Sequence, residues 1–199
     1  MPVLWRCFPW DTGAAAQGSA YSPSHVAAGQ RAGRFDLRDS PSVLYLGEDP
    51  AHVVAEALQA FRNTSFVPAM LRRHGHPLAL VEVTVPDEEA ARIADLCDPA
   101  ALVRHDIAPD RTAHHDRQIT QAIARRLHES GSSGLRWWST ITGAWHVWVV
   151  FLDRIPAEAV GWAVPQGLAA DSELVLEARK VLGITSGGAS VTGRNLPAT

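Results

Sequence analysis

Residues 31–58 read RAGRFDLRDSPSVLYLGEDPAHVVAEAL, and four signals follow one another within them. A Gly33-Arg34-Phe35 turn comes first. Val43-Leu44-Tyr45-Leu46 then has the continuous apolar, β-branched and aromatic character of a short buried strand. Gly47-Glu48-Asp49-Pro50 punctuates the chain, with Asp49 placed to cap a helix and Pro50 to occupy its first position, where a missing N–H costs nothing. Residues 51–61 then show a helical stripe, Val54, Ala57, Leu58 and Phe61, at i, i+3, i+4 and i+7. Glu56 falls on the flank of that stripe, which suits either the rim of a cleft or a solvated surface. A strand, a tight turn and a helix in this order can bring Arg34, Tyr45 and Glu56 to one cleft.

Working outward, Val3–Phe8 reads as a first strand with Arg6 among apolar neighbours, either snorkelling from an edge or serving a site. Residues 12–30 are rich in Gly, Ala and Ser and read as a loop, with room for one short helix. Residues 63–76 are loop-like, with Arg72-Arg73-His74 as a solvated basic face. LALVEVTV at 78–85 is a strong strand, closed by Pro86. Residues 87–96 read as a helix with an acidic first turn, and 98–109 as irregular. Residues 116–130 read as a helix with Ile119, Ala122, Ile123 and Leu127 on one face, ended by Gly131-Ser132-Ser133-Gly134. Residues 135–140 and 145–152 form a hairpin candidate that holds four of the seven tryptophans: Trp137, Trp138, Trp145 and Trp148. A short strand at 160–164 and a capped helix at 171–182 complete the chain, and the Gly/Ser/Thr tail from 183 is expected to be disordered. Strands dominate the core with helices segregated around them, an α+β pattern.

The chain has 199 residues, 46% of them hydrophobic and 20% charged, with a net charge of -3. That is the profile of a globular protein with a real core, and one domain is the default at this length. There is no basic excess to indicate direct nucleic-acid binding or an anionic membrane surface, and no apolar run long enough to span a bilayer. The N-terminus lacks the charged-then-apolar pattern of a secretory leader. Cys7 and Cys97 lie far apart and form no redox or metal motif, so a reducing cytoplasm is the expected setting. Phosphate-loop, dinucleotide-fold and nucleophile-elbow signatures are absent. The nine histidines show neither the spacing nor the cysteine partners of a zinc site, and no metal is expected.

Taken together, the residues resemble the RES-domain family, the toxin half of bacterial RES–Xre toxin–antitoxin pairs, which is named for Arg, Glu and Ser. The likeness runs over roughly residues 3 to 155. It rests on Arg6 in Trp5-Arg6-Cys7, Arg34 in Gly33-Arg34-Phe35, Tyr45 in Leu44-Tyr45-Leu46, Glu56 in Ala55-Glu56-Ala57, and Ser139 in Trp137-Trp138-Ser139. After Ser139 the chain continues Thr140-Ile141-Thr142-Gly143, where the family often has Arg or another polar residue in a glycine-rich turn.

The resemblance implies an ADP-ribosyltransferase-like fold that takes NAD+ as substrate and needs no metal. Its activity would be cleavage of the nicotinamide–ribose bond by phosphorolysis or hydrolysis, with depletion of cellular NAD+. Arg6 and Arg34 would clamp the pyrophosphate, Glu56 would stand beside the ribose, and Tyr45 and Ser139 would position the reacting groups. Residues 1–165 would be the catalytic domain and 166–199 a terminal helix and tail. The implied partner is an Xre-type helix-turn-helix antitoxin, and a homodimer is left open. Two other classes remain: a mono-ADP-ribosyltransferase acting on a protein, and a non-catalytic binding module on the same fold.

Overall fold

The computed structural model of the chain describes residues 1–14, 17–27, 32–37 and 42–186. In chain order, strand β1 (Val3–Pro9) and strand β2 (Val43–Gly47) are followed by helix α1 (Pro50–Leu58), which a 3-10 turn (Gln59–Phe61) extends. Short strands β3 (Ser65–Phe66) and β4 (Arg72–Arg73) precede the long β5 (His76–Thr84). A single turn, α2 (Asp87–Ala90), leads to β6 (Ile93–Asp95), α3 (Pro99–Arg104), α4 (Pro109–Thr112) and α5 (Arg117–Glu129). The hairpin β7 (Gly134–Trp138) and β8 (His146–Phe151) comes next. Strands β9 (Gly161–Trp162) and β10 (Gln166–Gly167), helix α6 (Glu173–Leu182) and strand β11 (Thr185–Ser186) end the described chain.

The main sheet runs β10-β5-β1-β2-β8-β7-β6, with β4 and β9 also pairing with β5. All of its pairs are antiparallel except β6 with β7. The architecture is α+β. Strand alternation divides the side chains between two faces. Leu4, Phe8, Leu44, Leu46, Val81, Val83 and Val150 form the core of one face. The opposite face carries two separate cores. One packs Phe35, Trp137, Val149 and Phe151 against α5 through Ile123, Ala124 and Leu127. The other packs α1 (Val54, Ala55, Leu58) against α6 (Val175, Ala178, Leu182). A cleft opens between those two cores.

The capping signals act as read. Asp49 is extended and its Oδ1 accepts from the Ala51 and His52 amides at 2.7 and 3.1 Å. Asp116 caps α5 through the Gln118 amide at 2.8 Å. The same Asp-Pro signal recurs at Asp98-Pro99, where Asp98 accepts from the Ala100 amide at 3.0 Å, and it starts α3 in a region the sequence suggests is irregular. The hairpin is found, with Trp138 opposite His146.

Other expectations are corrected. The helix expected over 87–96 lasts one turn, because the backbone of Ile93–Asp95 is taken up by β7 in a parallel register with Gly134–Arg136. Residues 63–76 hold two short strands and a 3-10 turn (Pro68–Leu71) rather than a plain loop. The buried face of α5 is rotated: Thr120, Gln121 and Ala124 are buried and Ala122 is exposed. Of the strand expected at 160–164, only Gly161–Trp162 pairs with β5. Beyond α6, Gly183 adopts a left-handed φ of 67°, Ile184 is buried, and β11 pairs in parallel with β3. The expected disordered tail, from 187 on, lies outside the described residues.

An ion network stitches one end of the sheet. Glu48 accepts from Arg136 Nε at 2.5 Å and Nη2 at 3.2 Å, and from Trp148 Nε1 at 2.8 Å. His146 Nδ1 lies 3.2 Å from the same carboxylate, and Arg136 reaches Asp95 at 3.0 Å. Glu48 immediately precedes the Asp49 cap, so the network anchors the start of α1. Burial would raise the Glu48 carboxyl, but the bonds from Arg136 and Trp148, with the nearby Arg136 and His146, hold it below its ordinary value.

Candidate active site

The cleft has a volume of about 630 Å³. Its walls come from the Gly33-Arg34-Phe35 turn, from Tyr45 on β2, from His52, Val53, Glu56 and Ala57 on α1, from Arg73, from Arg117 at the head of α5, and from Trp137, Thr140 and Val147 of the hairpin region.

The turn is held by a closed set of bonds. The Gly33 amide donates to Asp36 Oδ2 at 2.6 Å, and the Tyr45 hydroxyl donates to Asp36 Oδ1 at 2.8 Å. The same hydroxyl accepts from the Phe35 amide at 3.0 Å. From α5, Gln121 Nε2 donates to the Gly33 carbonyl at 2.9 Å and the Thr120 hydroxyl donates to the Arg34 carbonyl. A Cβ on Gly33 would lie 2.3 Å from Asp36 Oδ1 and 2.5 Å from the Tyr45 hydroxyl, so only glycine fits. This explains the rotated face of α5: Thr120 and Gln121 are buried because they bind the turn.

Arg34 is thereby aimed into the cleft. Its guanidinium lies over the Trp137 ring at 5.0 Å, and Nη1 donates to the His114 carbonyl at 2.5 Å. Burial pushes the guanidinium below its ordinary value, Arg117 pushes it the same way, and Glu56 opposes them. Arg34 therefore feels a second cation and the Glu56 carboxylate across one space. Two mutually repelling guanidinium groups favour an anion between them. Tyr45 is pushed far above its ordinary value, first by burial and then by Asp36. It stays a neutral phenol that holds the turn rather than exchanging protons.

Glu56 lies on the opposite wall, its side chain one-third exposed at 33%. Its Oε1 accepts from the Ser139 hydroxyl at 3.2 Å and lies 3.3 Å from His52 Nε2, one helical turn back. Ser139 is buried; its Oγ accepts from the Ile141 amide at 3.1 Å and its amide donates to the Trp145 carbonyl at 2.7 Å. Ser139 therefore meets the cleft through Glu56. Arg73 donates to the Ala57 carbonyl at 3.0 Å, which fixes it beside α1. Burial pushes the Cys7 thiol up to about 12, so this wall residue is a neutral thiol rather than a nucleophile.

Of the five residues expected at the site, the structure brings Arg34, Tyr45, Glu56 and Ser139 together. It does not bring Arg6. Arg6 shares a face of β1 with Leu4 and Phe8, whereas Cys7 faces the cleft. Its guanidinium donates to the carbonyls of Pro23 and His25, the latter at 2.6 Å, and so secures the loop behind the sheet. Asp36, His52, Arg73 and Arg117 escaped the sequence reading. Arg73 belongs to the Arg72-Arg73-His74 cluster, whose composition is that of a solvated face, and Arg117 carries no signal beyond the adjoining Asp116 cap. Among the described residues, no group of three or more His, Cys, Asp or Glu side chains is placed to hold a metal ion, and no helix is long and apolar enough to cross a membrane.

A family model for the RES domain matches residues 3–171. The chain belongs to the RES-domain family. Among solved structures, this RES-domain chain is similar to one in the MbcT–MbcA toxin–antitoxin complex of M. tuberculosis, with a TM-score of 0.54 and 14% identity over 91% of this chain and 88% of the other. At that identity the likeness speaks for the fold. No curated protein matches the chain significantly.

Proposed function

We propose that this RES-domain protein is a toxin enzyme that cleaves the nicotinamide–ribose bond of NAD+ and so depletes the cell of it. The observation that carries the reading is the placement of one carboxylate, Glu56, across a single cleft from Arg34 and Arg117, with Arg73 on the same rim. NAD+ presents a matching charge pattern: a dianionic pyrophosphate next to a ribose that becomes cationic as nicotinamide leaves.

The C1′–N bond breaks with its electron pair going to the ring nitrogen, so nicotinamide departs neutral and needs no general acid or metal. The sugar passes through an oxocarbenium-like state, as in glycoside hydrolysis. Glu56 stabilises that positive charge as it develops, and a preorganised charge in a partly enclosed cleft costs little reorganisation. The arginines hold the pyrophosphate through charge-assisted, fork-shaped contacts. Trp137, backed by the buried Phe35, carries the Arg34 guanidinium at the apolar side of the cleft. Ser139 holds the Glu56 carboxylate, and Tyr45 holds the turn that carries Arg34. An oxygen of phosphate or water then bonds to C1′; water also gives up a proton to solvent.

The partner of this reading is an Xre-type helix-turn-helix antitoxin that covers the cleft; the toxin–antitoxin neighbour supports an antitoxin partner and no more. The test is nicotinamide release from NAD+ by the purified protein in EDTA, with and without inorganic phosphate, followed by product identification. ADP-ribose 1″-phosphate means phosphorolysis, and free ADP-ribose means hydrolysis. Label retained on protein would replace the reading with protein ADP-ribosylation. No nicotinamide release from folded, soluble protein under either condition would overturn it in favour of a binding module.

A further inference from the structure

We propose that His52 is a positioning residue for Glu56: its Nε2–H, together with the Ser139 hydroxyl, locks Oε1 and so turns Oε2 toward the substrate. The proposal rests on the NAD+-cleaving reading for its kinetic consequence but not for its geometry.

His52 sits in the first turn of α1, with a side chain only 1% exposed. Its ring stacks on Trp145 at 5.1 Å and 26°. Its Nε2 lies 3.3 Å from Glu56 Oε1, and the Ser139 hydroxyl reaches that same oxygen. Glu56 Oε2 has no protein partner among the described residues. Two donors on one oxygen, approaching from different elements, remove the rotation that would let the carboxylate swing between α1 and the cleft.

The other ring nitrogen supplies the argument for purpose. Nδ1 is buried and has no hydrogen-bond partner among the described residues. A carboxylate only accepts, so the ring proton stands on Nε2 and Nδ1 is left as an unpaired acceptor. An unpaired buried polar atom is costly, and an apolar ring of similar shape would avoid that cost while keeping the stack on Trp145. What an apolar ring could not provide is the Nε2–H bond to Glu56. The stack adds a second link, because the Trp145 carbonyl accepts from the Ser139 amide. One residue therefore ties α1, which bears Glu56, to the loop that bears Ser139.

The experiment compares His52→Phe, which keeps a flat ring and loses the donor, with His52→Gln, whose amide nitrogen sits close to the Nε2 position. His52→Phe is expected to lower kcat roughly 10- to 100-fold, the usual size of an effect from a group supporting a catalytic ligand, with KM within about twofold of wild type. His52→Gln is expected to recover kcat to within about threefold. Long-range proton–nitrogen NMR on the wild-type protein, without substrate, is expected to show the Nε2–H tautomer at His52, and a changed Nε2 signal in Glu56→Gln. Wild-type kcat in a folded His52→Phe, a His52→Gln as slow as His52→Phe, or an Nδ1–H tautomer would each overturn the proposal. If His52→Phe fails to fold, the glutamine variant and the tautomer decide. A wild-type protein that releases no nicotinamide sinks the enzymatic reading, and the tautomer measurement still decides the hydrogen bond.

Discussion

Replacing Glu56 by Gln removes one negative charge and almost no volume, so it separates electrostatics from packing. In the structure the carboxylate accepts from Ser139 at 3.2 Å and lies 3.3 Å from His52 Nε2. The amide oxygen of Gln can keep one of these bonds in neutral form. A bond to a charged acceptor is worth about 1.5–3 kcal/mol and a neutral one about 0.5–1.5. With the side chain 33% exposed, solvent screens part of that difference, and the net loss of stability is about 1 kcal/mol. For a chain of this size that corresponds to a melting point lower by about 2–4 °C. The catalytic effect is expected to be far larger. Loss of one preorganised charge costs about 100- to 1000-fold in kcat, or roughly 2.7–4 kcal/mol. KM should barely move, because ground-state NAD+ carries little of the sugar charge that Glu56 opposes. The assay is initial-rate nicotinamide release over a range of NAD+ concentrations, with thermal melts of the same preparations. A variant that melts within a few degrees of wild type and turns over at the wild-type rate would remove Glu56 from the chemistry. A melt lower by more than about 10 °C would make it a structural residue.

Arg34→Ala should raise KM roughly 10- to 150-fold through loss of a charge-assisted phosphate contact, with kcat changed much less; NAD+ titration of the variant checks this. Arg6→Met should leave KM within about twofold and lower stability by about 2 kcal/mol, since the Pro23 and His25 carbonyls lose their donor; an unchanged melt with a raised KM would return Arg6 to the cleft. Glu48 titrates below its ordinary value in the fold, so on acidification the unfolded chain takes up its proton first. Its contribution to stability is present above the ordinary carboxylate pKa of about 4.3 and is lost as the pH falls through the lowered folded value. Urea midpoints between neutral pH and pH 3 should fall less steeply in Glu48→Gln than in wild type.

What the sequence made legible was mostly local. Asp49 and Pro50 start a helix by side-chain chemistry within three residues, and the same chemistry stands at Asp98-Pro99, where the helix it starts, Pro99–Arg104, is too short to show a helical stripe. Gly33-Arg34-Phe35, Tyr45 and Glu56 could be placed in one cleft because a strand and a helix joined by a tight turn leave little choice. Ser139 joined them only through the ordered pattern of the family. The unread part was set by distant pairing. Ile93–Asp95 became a strand because β7 lies beside it, which no local propensity encodes. Arg73 and Arg117 look like solvated charges until β4 and α5 are folded against the cleft. Arg6 shows the reverse limit: strand alternation assigns it a face opposite to Cys7, but not which face bears the cleft.

Helix α6 packs along α1, and Val175, Ala178 and Leu182 complete the core that holds Val54 and Leu58. More than half of the chain's 199 residues separate the two helices. During synthesis, then, the Glu56 helix leaves the ribosome long before the surface that seats it. Contacts between such distant segments form late because closing the intervening loop costs entropy first. A nascent chain that stops short of α6 carries every cleft residue named above yet leaves the apolar side of α1 bare. On the NAD+-cleaving reading, the order of translation thus withholds the seated Glu56 helix, and with it the activity, until α6 has been made.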